Sequence, residues 1–242
     1  MAHTILITRP EPGGTRFEAQ LRAKFGDVPV CLSPILEIVP QPGAVPLEGV
    51  RGLIFTSQYG VEQFVARVTG RDFSVFTVGA ATGAAARLAG FAEVTEAEGD
   101  AASLVEMIVA REIDGPLLHL RGGVAAGDVA GDLKAAGIET RVAILYRQQE
   151  AAATPEAKAL LAGDAPVIVP LFSPRSAALW FAQSTPRAPL VMIAISAAAA
   201  RAVPEGAGSV FVAQTPDAEA MLRCVPDAIA AAKRLEGVNR AQ

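Results

Sequence analysis

Histidine and cysteine are almost missing from this chain: its 242 residues include two of each. Cys31 and Cys224 form no CxxC or metal-ligand spacing and read as buried thiols. His3 precedes the first apolar run, and His119 sits inside PLLHL, where an imidazole reads as a satisfied core residue rather than a base. A zinc site or a Ser-His-Asp triad therefore has little to draw on. Aromatics are also few, with one Trp and two Tyr. No apolar run approaches the roughly eighteen residues of a membrane span. The opening MAHTILITRP has too short an apolar core for a signal peptide, so the expectation is a cytoplasmic protein without membrane contact. Surplus positive charge is lacking as well. A net charge of −4 and a pI near 5.3 argue against nucleic acid as a partner. A small anion stays open, because local donors can bind one within an acidic protein.

What is present is globular: 51% hydrophobic and 19% charged residues, enough chain for one large domain or two small ones. The sequence also repeats itself. Ile54-Phe64 reads IFTSQYGVEQF and Leu171-Phe181 reads LFSPRSAALWF, pairing Phe55 with Phe172, Thr56 with Ser173, and Phe64 with Phe181. In ILITRP and LLHLRG the apolar strand ends in an arginine, Arg9 or Arg121. Leu21 or Leu133 follows at the same interval, and Gly26 or Gly137 stands where a left-handed helix end is wanted. A third pair aligns FSVFTVGAATGAAARLAG with PLVMIAISAAAARAV, Thr82 with Ser196 and Arg87 with Arg201. Three units in one order, twice over, read as a tandem duplication. Short β-rich runs alternate with helices of about ten residues, which predicts two similar α/β domains, each a parallel sheet flanked by helices. LSPILEIVPQPG and RVAILYRQQEAAATP differ. They read as extended strands running between the domains, paired as a two-stranded β-ladder.

In open α/β sheets ligands bind beyond the carboxyl ends of the strands. Thr8-Arg9, Thr56-Ser57-Gln58, Gly79 to Thr82, Arg121-Gly122-Gly123, Ser173-Pro174-Arg175-Ser176 and Ser196 are all expected there. Small hydroxyl residues at such turns cap the following helix and leave its first amides for an anion. Thr56, Thr82, Ser173 and Ser196 are read as such caps. VGAATGAAARLAG is not GxGxxG, and no GxxxxGK[ST] occurs, so a nucleotide site is not expected. Asp128 and Asp132, at i and i+4, read as solvated carboxylates. Trp180 reads as core, Tyr59 as exposed at a rim, and Tyr146 as lying on an inter-domain strand.

ILITRP, PILEI, IFTSQYGVEQF, VGAATGAAARLAGF, LHLRG with DLKAAG, LYR and LFSPRSAALWF, taken in this order, resemble the uroporphyrinogen-III synthases along essentially the whole chain. The resemblance implies a discontinuous domain of residues 1–34 plus 155–242, a second of residues 43–140, and linker strands at 35–42 and 141–154. It implies a cyclising lyase without cofactor or metal. Such an enzyme closes linear hydroxymethylbilane to uroporphyrinogen III with inversion of the last pyrrole ring, through azafulvene and spiro intermediates in a cleft between the domains. It further implies substrate handed over by the preceding synthase, while the long linkers and the lack of a large apolar face point to a monomer. By this resemblance Thr56, Ser57, Gln58, Thr82, Ser173, Arg175, Ser176 and Ser196 line the substrate surface, with Arg9 and Arg121 either guanidinium forks for its carboxylates or structural salt bridges. Tyr146 matches the family's tyrosine near bound product and is the candidate proton donor to the leaving hydroxyl, or the group that orients it by hydrogen bonding. Gln58, Tyr59 and the alanines of IAISAAAA depart from the residues more usual in the family. The competing expectation is a hinge-type two-domain protein that binds a small anion without chemistry.

Overall fold

The computed structural model describes residues 3–98, 100–125 and 127–239. The chain divides into two compact units, Met1–Glu37 with Glu150–Gln242, and Ile38–Gln149.

The first unit is a five-stranded sheet in the order β11-β10-β9-β1-β2. Its strands are β1 (Thr4–Ile7), β2 (Val30–Leu32), β9 (Val167–Leu171), β10 (Leu190–Ala194) and β11 (Gly208–Val212). All its pairings are parallel. β1, β9 and β10 are nearly continuous apolar runs because both faces are covered, whereas the edge strand β11 is largely exposed, and successive side chains take opposite faces. Ile5, Ile7, Ile168, Val191 and Ile193 meet Phe17 and Leu21 of α1 (Gly13–Phe25) and Met221, Val225 and Ala228 of α9 (Ala218–Asn239). Leu6, Val167, Val169, Leu171 and Met192 meet Leu161 of α6 (Pro155–Ala162) and Ala177 and Trp180 of α7 (Pro174–Gln183). The four-residue α8 (Ala197–Ala200) follows β10. α1 ends at Gly26, whose φ of 75° most side chains avoid.

The second unit holds six strands in the order β3-β8-β7-β4-β5-β6. They are β3 (Leu36–Pro40), β4 (Gly52–Phe55), β5 (Ser74–Val78), β6 (Val94–Ala97), β7 (Leu117–Gly122) and β8 (Thr140–Glu150). β4 pairs in parallel with β5 and β7, and β7 with β8. One face carries Leu53, Phe55, Val75, Leu118 and Leu120 against α2 (Gln58–Val65) and α3 (Gly79–Leu88). The other carries Ile54, Phe76 and Leu117 against α4 (Ala101–Ala110) and α5 (Val129–Ala135). β3 and β8 are neighbours at the edge, so the segments by which the chain passes between the units form a ladder.

The strand partners are not sequence neighbours. β1 sits between β2 and β9, and β7 sits between β8 and β4. β1, from the first half of the chain, thus pairs with β9 of the second half, and β7, from the second half, with β4 of the first. Among the described residues no helix is long and apolar enough to cross a membrane.

Candidate active site

Because the pairings within each sheet from β1 to β11 and from β8 to β6 run parallel, the strands of each sheet share one carboxyl edge. In the second unit that edge carries Thr56, Ser57 and Gln58 after β4, Gly79 after β5, and Arg121 at the end of β7. In the first unit it carries Arg9 after β1, Ser173 to Ser176 after β9, and Ser196 after β10.

The capping pattern differs from the one expected. Ser57, not Thr56, caps α2; its backbone is extended and its Oγ accepts from Tyr59 N–H at 3.2 Å. Ser173 caps α7 by accepting from Ser176 N–H at 3.0 Å, and its hydroxyl donates to Ser176 Oγ at 2.8 Å. Ser196 caps α8, accepting from Ala199 N–H at 3.3 Å. The equivalence of Thr56 with Ser173 is therefore displaced by one residue at the cap. Thr82 caps nothing. It lies one turn inside α3, buried, while Val78 stands at the cap position without a side-chain cap bond. A hydroxyl-for-hydroxyl alignment could not detect that α3 begins three residues earlier, at Gly79 with φ 71°. Asp128 is an exposed carboxylate, as expected, and is also a cap, its Oδ1 accepting from Gly131 N–H at 3.1 Å.

Thr56 instead faces a histidine: its Oγ1 lies 3.4 Å from Nε2 of His119 on β7. The two belong to adjacent strands in register, Ile54 opposite His119. His119 is a buried, partnered core residue, as the sequence suggested. Burial, then the nearby Arg121 charge, push its pKa down to about 4, against an opposing pull from Asp128.

The arginines bind locally. The Arg9 guanidinium lies 4.6 Å from the ring centroid of Phe172, a cation–π contact. Arg121 Nη1 donates to the carbonyls of Gly122 at 2.9 Å and Gly123 at 3.3 Å. Both sit at a carboxyl edge, and both are oriented by these contacts. Arg175, in the first turn of α7, is exposed.

Tyr146 is 5% exposed and belongs to the core cluster under α2. Its ring meets Tyr59 edge-on at 6.0 Å between centroids. Burial raises its phenol pKa above the ordinary value, and a hydrogen bond with the Ser57 side chain partly offsets this. The tyrosine was expected on an alternating strand, whereas here that alternation breaks: the ladder shifts register between Arg121 and Gly122, and Gly122 pairs with Tyr146 rather than Leu145. Arg67 is a neighbour the sequence reading passed over, and His119 and Gly122 were read without their partners Thr56 and Tyr146. LLHL and LRGG were visible as oddities in a strand, but their partners are remote in sequence.

Two cavities lie away from these residues. One of about 550 Å³ in the first unit is lined by Ile35, Lys158, Leu161, Gln183 and Thr185. The other, about 220 Å³ in the second unit, opens among Arg51, Arg71, Ser74 and Glu93, where β4 and β5 begin.

Parallel sheets clothed by helices on both faces, with hydroxyls, amides and arginines gathered at the strand ends, define an α/β protein of the kind that takes its ligand at that edge. The family model described as Uroporphyrinogen-III synthase HemD matches residues 16–223. The chain belongs to the uroporphyrinogen-III synthase family. Among solved structures, the uroporphyrinogen-III synthetase of Helicobacter pylori is similar at 15% identity and a TM-score of 0.68, over 94% of this chain and 99% of that one. A mutant uroporphyrinogen III synthase of Thermus thermophilus is similar at 17% identity and a TM-score of 0.52, over 95% and 99%. No curated protein matches the chain.

Proposed function

We propose that this protein is a monomeric, cytoplasmic uroporphyrinogen-III synthase, receiving hydroxymethylbilane from the synthase that makes it. The reaction removes the terminal hydroxyl as water, leaving an azafulvene cation. The substituted carbon of the last ring attacks that carbon to give a spiro intermediate. Fragmentation and reclosure at the other carbon, with loss of a proton, complete the inverted macrocycle. No redox step and no co-reactant enter this balance.

The observation that carries the reading, beyond family membership, is the Tyr146 ring set edge-on against Tyr59 at the start of α2. A phenol whose pKa is raised stays protonated through neutral pH, so it can donate a hydrogen bond to a leaving hydroxyl; full transfer of the proton would leave a phenolate, which has to recover a proton in the later deprotonation step. Thr56, Ser57, Gln58, Thr82, Ser173, Arg175, Ser176 and Ser196 are assigned to the substrate's acetate and propionate groups, with Arg9 and Arg121 as cationic neighbours. Thr82 is the weakest of these, being buried in α3. Helix starts and hydroxyls hold carboxylates without requiring high net charge, in keeping with a net charge of −4.

Closure without inversion happens unaided, so the enzyme's work is positioning. Feeding hydroxymethylbilane and separating the oxidised products tests the reading. Type III isomer above the spontaneous type I background supports it. Type I alone overturns it and leaves a binding protein.

A further inference from the structure

In a regular strand, Tyr146 would point the same way as Val142 and Ile144, whose side chains are 40% and 47% exposed. It does not, because β8 carries one extra residue. Arg121 pairs with Ile144 and Gly122 with Tyr146, leaving Leu145 without an opposite number. Leu145 and Tyr146 consequently lie in the same core cluster beside α2. Bulges of this kind re-aim a side chain.

Two further contacts are made at the bulge. The Leu145 carbonyl accepts from Gln41 N–H at 2.8 Å and from Arg67 Nη2 at 2.7 Å. Across the ladder, a Cβ on residue 122 would stand 2.7 and 2.8 Å from Tyr146 Cε2 and Cζ, and 3.2 Å from its hydroxyl oxygen. Those are the atoms at the phenol end of the ring, so even a methyl group would displace the hydroxyl. Tyr59 stands beside the ring and the core lies around it.

We propose that Gly122 is a positioning residue for Tyr146: its missing side chain, with the β8 bulge that Arg67 holds through the Leu145 carbonyl, seats the phenol against Tyr59 at the start of α2. The geometric part stands by itself; its consequence for turnover rests on the proposed synthase activity.

The test uses the full chain with ring-labelled tyrosine, assigning Tyr146 by its loss in Tyr146→Phe. Gly122→Ala is expected to move the Tyr146 ring resonances. It should lower kcat for type III isomer about as far as Tyr146→Phe does, on the order of a hundredfold, with KM little changed. The double variant should be no slower than either single. Arg67→Met should move the same resonances by less. Unmoved resonances in Gly122→Ala, or losses that multiply in the double variant, overturn the proposal. If the unsubstituted chain makes no type III isomer, the activity reading fails, and the resonances still decide the geometry. If Gly122→Ala does not fold, Gly122→Ala/Tyr146→Leu should melt with Tyr146→Leu alone, since the obstructing ring is gone; a lower melting point sinks the idea.

Discussion

Thr56 Oγ1 lies 3.4 Å from Nε2 of His119, joining the residue after β4 to the interior of β7. The imidazole is 1% exposed, and burial leads the effects that bring its pKa down to about 4. At neutral pH it is therefore an uncharged partner for a hydroxyl at the carboxyl edge.

That pairing fixes a pH dependence of stability. The native pKa of about 4 lies below the unfolded value near 6.5. Below about pH 6.5 the unfolded chain binds a proton that the native chain refuses, so stability falls with pH down to about 4 and is flat above. The integrated loss is about 3 kcal/mol. Denaturant titrations of the parent and of His119→Gln across this range should differ by this slope. Identical slopes would refute it.

Tyr146→Phe should slow type III formation on the order of a hundredfold while costing no more than about 1 kcal/mol of stability for the lost hydroxyl. Steady-state rates and a thermal melt suffice. An unchanged rate would remove Tyr146 from the mechanism.

Ser173 and Ser176 separate cap from ligand. Ser173→Ala removes the acceptor for Ser176 N–H and should destabilise by about 1 kcal/mol. Ser176→Ala keeps that cap bond and should leave stability nearly intact while raising KM. A KM unchanged in both would take this turn out of the binding surface.

Gly60 sits where α2 crosses β7. A Cβ there would stand 2.9 Å from the Leu120 carbonyl oxygen and 3.3 Å from Phe55 Cδ1. Backbone cannot yield as a flexible side chain can, so Gly60→Ala should cost about 1–3 kcal/mol and tilt the helix carrying Ser57. Gly26→Ala, with nothing within 4 Å but φ at +75°, should cost only the backbone strain, about 1–2 kcal/mol. Equal melting points for Gly60→Ala and the parent would contradict the close approach.

The chain's local grammar set the element types. Runs such as TILI and VIVPL could only be doubly covered strands, and Gly26 could only end a helix, because side-chain periodicity and backbone freedom act within a few residues. Ser173 and Ser196 were legible as caps for the same reason. What tertiary structure decided is non-local. β1 took β9 as neighbour and β7 took β4, a partnering that periodicity leaves open because any parallel strand offers the same donors and acceptors. Thr56 lost the cap to Ser57, and Tyr146 turned inward, because a one-residue bulge and a glycine across the ladder leave no trace in composition. Hydrogen bonding along the chain is written in the order of residues; which strand lies alongside, and in what register, is settled only when the sheet closes over its cores.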